Sequence, residues 1–132
     1  MLTDILACED HPFLQIGLKA SLLASIPDLK SLRLAGNGAD ALRLAREKRP
    51  DLVIVDLGLP DMSGLDLILR LKELWSGIRI LVVTSCDNPS ILRQARKIGV
   101  AGILQKSSRA GNRETEGRSF PGSRRPAPPA RA

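Results

Sequence analysis

Five short apolar runs alternate with four stretches of helical periodicity, and this alternation constrains the fold more than any other feature. The runs fall at residues 3–8, 29–35, 52–56, 78–83 and 101–105, the second with an imperfect alternation. Leu52 to Val55 is continuously apolar and rich in β-branched residues, as expected of a strand buried on both faces. Strands alternating with helices give a parallel sheet, joined by right-handed crossovers and covered on both faces. The expectation is an α/β, doubly wound, five-stranded parallel sheet.

The segments between the runs carry helix punctuation. Pro12 suits a first turn, where proline sacrifices no helical hydrogen bond. Phe13, Ile16, Ala20 and Leu23 then recur at helical spacing to about Ser25, with Gln15 and Lys19 four apart on a polar side. Asn37-Gly38 turns into a helix over 39–48, with Ala41, Leu42 and Ala45 inward and Arg43, Arg46 and Glu47 outward; Pro50 stops it. A helix over 64–75 places Leu67, Ile68, Leu71 and Leu74 on its core face, with Trp75 a packing residue at its end. Asn88-Pro89 starts the fourth by cap and first-turn chemistry. Its stripe is Ile91, Leu92, Ala95 and Ile98, and Gly99 closes it.

Length supports one ordinary domain. The chain is 43% hydrophobic but only 2% aromatic, so its core must be aliphatic. No apolar run approaches the ~20 residues of a membrane span, and the N-terminus lacks a secretory pattern. Cys8 and Cys86 make neither a disulfide framework nor a zinc pattern. The expected location is cytoplasmic. The net charge of +6 is uneven: residues 1–106 hold 14 Lys/Arg against 12 Asp/Glu, and residues 107–132 hold 6 Arg against 2 Glu. A nucleic-acid surface on the body does not follow. Residues 107–132 contain no Leu, Ile, Val or Met and a single Phe120, and they read as a disordered tail of Arg, Gly, Pro, Ser and Ala.

Four runs end in polar groups of chosen type: Glu9-Asp10, Asp56, Thr84 and Lys106. In a parallel sheet these project from one edge. Three carboxylates in one crevice repel unless a cation offsets them, and a small oxygen-only donor set suits Mg²⁺. Acid cluster, hydroxyl and ammonium together make a receptacle for a phosphoryl group on a carboxylate nucleophile.

Glu9-Asp10, the loop D-L-G-L-P-D-M-S-G from Asp56 to Gly64, Thr84-Ser85 and Lys106 resemble the receiver domain of two-component response regulators. Glu-Asp-His-Pro-Phe followed by Gly17-Leu18 resembles the NarL/FixJ (LuxR-type) transcriptional regulators. The similarity covers about residues 1–106. It implies a flavodoxin-like sheet of strand order 2-1-3-4-5. It also implies an aspartyl phosphate on Asp56, received from a sensor histidine kinase or phosphotransfer protein. Asp10, Asp56 and the Gly58 carbonyl would hold Mg²⁺ with Glu9 assisting. Thr84, Lys106 and the Leu57 backbone amide would contact the phosphoryl oxygens, and small Ser85 leaves the site open. Asp61 reads as a solvated turn residue, and His11 as a loop residue near the acid pair.

The pattern breaks twice. Relatives usually carry Tyr or Phe three residues before the lysine, where this chain has Ile103. They also continue with an amphipathic fifth helix, a linker and a helix-turn-helix domain, for which residues 107–132 offer no material. The expectation is therefore a receiver lacking a recognisable fifth helix, truncated or frameshifted after the fifth strand. It would have no DNA-binding domain, no specific nucleic-acid binding and a compromised dimer face. The alternatives are a non-phosphorylated interaction module or a non-functional remnant. An enzyme is disfavoured. A dinucleotide-binding dehydrogenase needs Gly-x-Gly-x-x-Gly where this chain has Cys8-Glu9-Asp10-His11-Pro12. Haloacid-dehalogenase-type phosphatases place a second Asp at the position held here by Gly58.

Overall fold

Each apolar run becomes a strand, and each periodic stretch a helix. The computed structural model describes residues 3–106 of the chain. In order, these are β1 (Asp4–Cys8), α1 (Pro12–Ser25), β2 (Ser31–Ala35), α2 (Gly38–Glu47), β3 (Leu52–Val55), α3 (Gly64–Leu74), β4 (Ile80–Thr84), α4 (Pro89–Ile98) and β5 (Gly102–Gln105). The sheet order is β2-β1-β3-β4-β5, with every neighbouring pair parallel. This is the doubly wound arrangement expected. The expected tail, and the region where a fifth helix would fall, lie outside the described residues.

Alternation along the strands sorts side chains between two layers. Leu6, Cys8, Val53, Val55, Ile80 and Val82 face one side. There they meet Ala41, Leu42 and Ala45 of α2 and Leu67, Ile68 and Leu71 of α3, all buried. Ile91, Leu92 and Ile98 of α4 pack against the same cluster. The termini follow local chemistry. The Asn37 side chain accepts from the Asp40 amide, Ser63 caps α3, and Asn88 caps α4. Gly99 closes α4 at φ 97°, a left-handed conformation that glycine adopts freely.

The opposite layer departs from expectation. Ile5, Ala7 and Ile54 face α1, which meets them with Leu18 and Leu22. The stripe read from periodicity points to solvent instead: Phe13 is 84% exposed, Ile16 66% and Leu23 49%, and no residue of α1 is fully buried. Gln15, on the supposed polar side, turns inward to donate to the Glu9 carbonyl. The physical reason is that α1 is apolar almost all round. Spacing alone then cannot select its docking face, and the fit of Leu18 and Leu22 to the sheet decides.

The N-terminal edge of the sheet is held by charge. Asp4, buried at the start of β1, pairs with Arg33 of β2 at 3.2 Å and Lys48 at 3.4 Å. Asp51 accepts from the Thr3 and Asp4 amides, each at 3.0 Å, and from the Thr3 hydroxyl at 2.9 Å. This binds the entry of β1 to the residue before β3. Trp75, at the C-cap of α3, donates its indole N–H to the Ala45 carbonyl at 2.9 Å and packs on the core.

Candidate functional site

The C-terminal ends of parallel strands share one edge, where ligands of open α/β sheets bind. Here that edge gathers Glu9 and Asp10 after β1, Asp56 after β3, Thr84 at the end of β4 and Lys106 after β5. Glu9, Asp10 and Asp56 each offer a carboxylate oxygen, all lying within 4.8 Å of one another. Glu9 and Asp56 are 5% and 8% exposed, so their charges need partners. The Lys106 ammonium supplies them, donating to Glu9 Oε1 at 2.6 Å and Asp56 Oδ2 at 2.9 Å. Burial works to lower the Lys106 pKa, but the hydrogen bonds and charges of Glu9 and Asp56 outweigh it and the net shift is upward. Lys106 stays protonated.

The remaining acceptor atoms of these two acids are also engaged. Asp56 Oδ1 accepts from the Gly58 amide at 3.0 Å, and Glu9 Oε2 from the His11 amide at 3.1 Å. Asp10 is exposed beside them. A cavity of about 700 Å³ opens here, its polar end lined by Glu9, Asp10, His11, Asp56, Gly58 and Lys106, with Ser85 on the rim. Its apolar end runs between α1 and the sheet, along Leu14, Leu18, Ile54 and Val83. Thr84 is buried rather than part of the wall, its hydroxyl accepting from the Cys86 amide at 3.1 Å. Leu57, 9% exposed, packs into the core while its carbonyl accepts from the Gly64 amide at 3.1 Å.

The loop after β3 folds back on itself. Gly58 and Ser63 form an isolated antiparallel bridge. Gly64 then passes so close to Leu57 that a Cβ there would lie 2.4 Å from Leu57 Cα and 2.9 Å from the Asp56 carbonyl oxygen. Only glycine fits. Asp61 is the exposed turn residue expected from sequence, but it also holds a tertiary contact that sequence does not show. Its Oδ1 accepts from the Gly38 amide at 2.8 Å and its Oδ2 from the Ala39 amide at 3.0 Å. Those bonds, the Gly38 amide foremost, hold its carboxyl below the ordinary carboxylate value. A partner 23 residues away in sequence leaves no local signal, so only the tertiary fold reveals this contact. Cys8 lies behind the acids, where burial pushes its thiol up to about 12, with Asp61, Asp56, Glu9 and Asp10 adding to the effect.

The donor set fits a small hard cation. Every candidate ligand is an oxygen, and three carboxylates against one ammonium leave two negative charges for a dication to balance.

The family model for the response regulator receiver domain matches residues 5–113. The chain belongs to that family. BvgA of Bordetella pertussis is 34% identical to this receiver over 106 residues, 80% of the chain and 50% of the relative. The nitrate/nitrite response regulator protein NarL of Escherichia coli is 35% identical over 102 residues, 77% of the chain and 47% of the relative. The receiver thus spans about half the length of the curated relatives it matches. Among solved structures, a response regulator from Burkholderia pseudomallei with a phosphorylated aspartic acid, calcium ion and citrate has a TM-score of 0.71 at 31% identity. That match covers 81% of this chain and 61% of the other. A two-component response regulator of the LuxR family from Aurantimonas has a TM-score of 0.73 at 29% identity, covering 82% and 76%. The isolated receiver of RcsB from Salmonella enterica, solved with a phosphomimetic, has a TM-score of 0.74 at 23% identity, covering 80% and 78%. Among the described residues no helix is long and apolar enough to cross a membrane.

Proposed function

We propose that this receiver takes a phosphoryl group onto Asp56 from the phosphohistidine of a sensor kinase or phosphotransfer protein, as a regulatory acceptor rather than a turnover catalyst. The observation that carries the reading is Lys106 bridging Glu9 and Asp56 at the mouth of an acid-lined cavity. An Asp56 carboxylate oxygen attacks phosphorus, an O–P bond forms, the N–P bond of the phosphohistidine breaks, and the freed imidazole nitrogen takes the electron pair. Lys106 is placed to follow the charge as it moves from carboxylate to phosphoryl oxygens. In this proposal the buried Thr84 hydroxyl turns toward the cavity to complete, with the Leu57 amide, the oxygen contacts, and Ser85 leaves room for the donor.

Glu9, Asp10, Asp56 and the Gly58 carbonyl are the groups proposed to hold Mg²⁺. When bound, Mg²⁺ neutralises charge that builds on the phosphoryl oxygens. Ile103, at the position where relatives carry an aromatic residue, packs half-buried against the layer under α3 and α4. By analogy with its relatives we place the protein in the cytoplasm, in a phosphorelay whose output in those relatives is transcriptional control.

Intact-mass spectrometry tests the reading. The full chain is incubated with a small-molecule phosphodonor and Mg²⁺, beside an Asp56→Ala control. One added phosphoryl that requires both Mg²⁺ and Asp56 is expected. A folded chain that gains no adduct would instead favour a non-phosphorylated interaction module.

A further inference from the structure

The loop that carries Gly58 is anchored at two separate places. Its base is closed by the Gly58 amide on Asp56 Oδ1 and by the Gly58–Ser63 bridge, of which the Gly64 amide on the Leu57 carbonyl is part. Its tip packs Leu59 and Met62 against the core and is hydrogen-bonded to the start of α2. There Asp61 accepts from the Gly38 and Ala39 amides, and Met62 lies so close to Gly38 that a Cβ there would sit 2.6 Å from Met62 Cγ. A helix N-terminus has amides without intrahelical partners. Asn37 serves one of them, the Asp40 amide, at 2.8 Å. Asp61 serves two more, from another part of the chain.

We propose that Asp61 is a positioning residue for the metal end of the acid site, an inference that rests on the phosphoacceptor reading of Asp56. Side-chain carboxylates can adjust to a cation by rotating. The Gly58 carbonyl cannot, because its direction is set by the backbone of the loop. The Gly58 amide is held in the base while its carbonyl leads into the tip, so the tip contact limits how far that carbonyl swings. Asp61 thereby acts on the cation through the loop and never touches it. Residues that orient metal ligands from outside change affinity by about 10–100-fold when lost. A backbone donor already held at one end should show the lower part of that range.

The experiment is a calorimetric Mg²⁺ titration of the full chain, with urea denaturation run on each variant. Asp61→Ala is expected to raise the Mg²⁺ Kd about tenfold. Asp61→Asn, whose amide oxygen can still accept one bond, is expected to fall between Asp61→Ala and the parent chain. Asn37→Ala weakens the same end of α2 without touching the loop. It is expected to lower stability and leave the Kd unchanged. A Kd unaffected by Asp61→Ala, or moved as far by Asn37→Ala, overturns the proposal. Should Asp61→Ala fail to fold, Asp61→Asn carries the same comparison. A parent chain that binds no Mg²⁺ and forms no Asp56 adduct overturns the underlying reading instead. One that forms the adduct but shows no Asp61 effect overturns only the positioning role.

Discussion

Two glycines show how much a single side chain matters in this chain. Gly64 has Leu57 Cα and the Asp56 carbonyl oxygen where a Cβ would go, and neither is a flexible side-chain end that could swing aside. Gly64→Ala should therefore displace the backbone next to Asp56. The expected cost is about 1–3 kcal/mol, as for other overpacked sites, with slower phosphorylation of Asp56. Gly17, within α1, has nothing within 4 Å of its would-be Cβ. Gly17→Ala should stabilise by about 0.5–1 kcal/mol, because it only removes backbone freedom from the unfolded chain. Urea unfolding of the two variants should move the midpoint in opposite directions. If both move it the same way, the close approach at Gly64 is not what the residue is for. Gly64 could be read as a loop closer from its place after Pro60, but its steric necessity could not. That depends on how the loop returns past Leu57.

The helices differ in how far sequence decides their packing. α2, α3 and α4 have one apolar face each, and Leu42, Leu71 and Ala95 lie on the faces their spacing indicates. α1 has no such contrast, and its docking face became readable only against Ile5, Ala7 and Ile54. The strand ends were legible for the same reason as α3. A carboxylate or lysine closing an apolar run has one edge to project from once the sheet is parallel. The hydrogen bonds of Asp61 were illegible because its partners are set by how α2 lies against the loop, which no local pattern encodes. A contrast between helices follows. Phe13→Gln and Ile16→Gln, on the exposed side of α1, should each change stability by no more than about 0.5 kcal/mol. Leu71→Ala, fully buried on α3, should cost about 2–5 kcal/mol. Chemical denaturation measures both. A large loss at Phe13 would mean that the outward side of α1 is covered in solution.

Across the whole molecule, carboxylates occupy both edges of the sheet with different work at each. At one edge Glu9, Asp10 and Asp56 crowd together around Lys106. At the other, Asp4 and Asp51 hold strand entries together. The Thr3 hydrogen bonds foremost keep the Asp51 carboxyl below its ordinary value of 3.8. A depressed carboxyl stabilises the fold above the unfolded value and loses that contribution as pH falls through the folded one. The gap in urea midpoint between the parent chain and Asp51→Asn should thus be full near neutral pH and close as pH drops below about 3.8. A gap that persists in acid would mean that the Asn variant loses packing rather than charge. The indole of Trp75, resting on the Ala45 carbonyl at the edge away from the acids, adds an optical consequence. The chain has one tryptophan and no tyrosine, so its near-ultraviolet emission comes from a single fluorophore seated where the ends of α2 and α3 meet. A wavelength shift on adding Mg²⁺ would report a disturbance carried the length of those helices, and a constant spectrum would mark that seam as a fixed foundation.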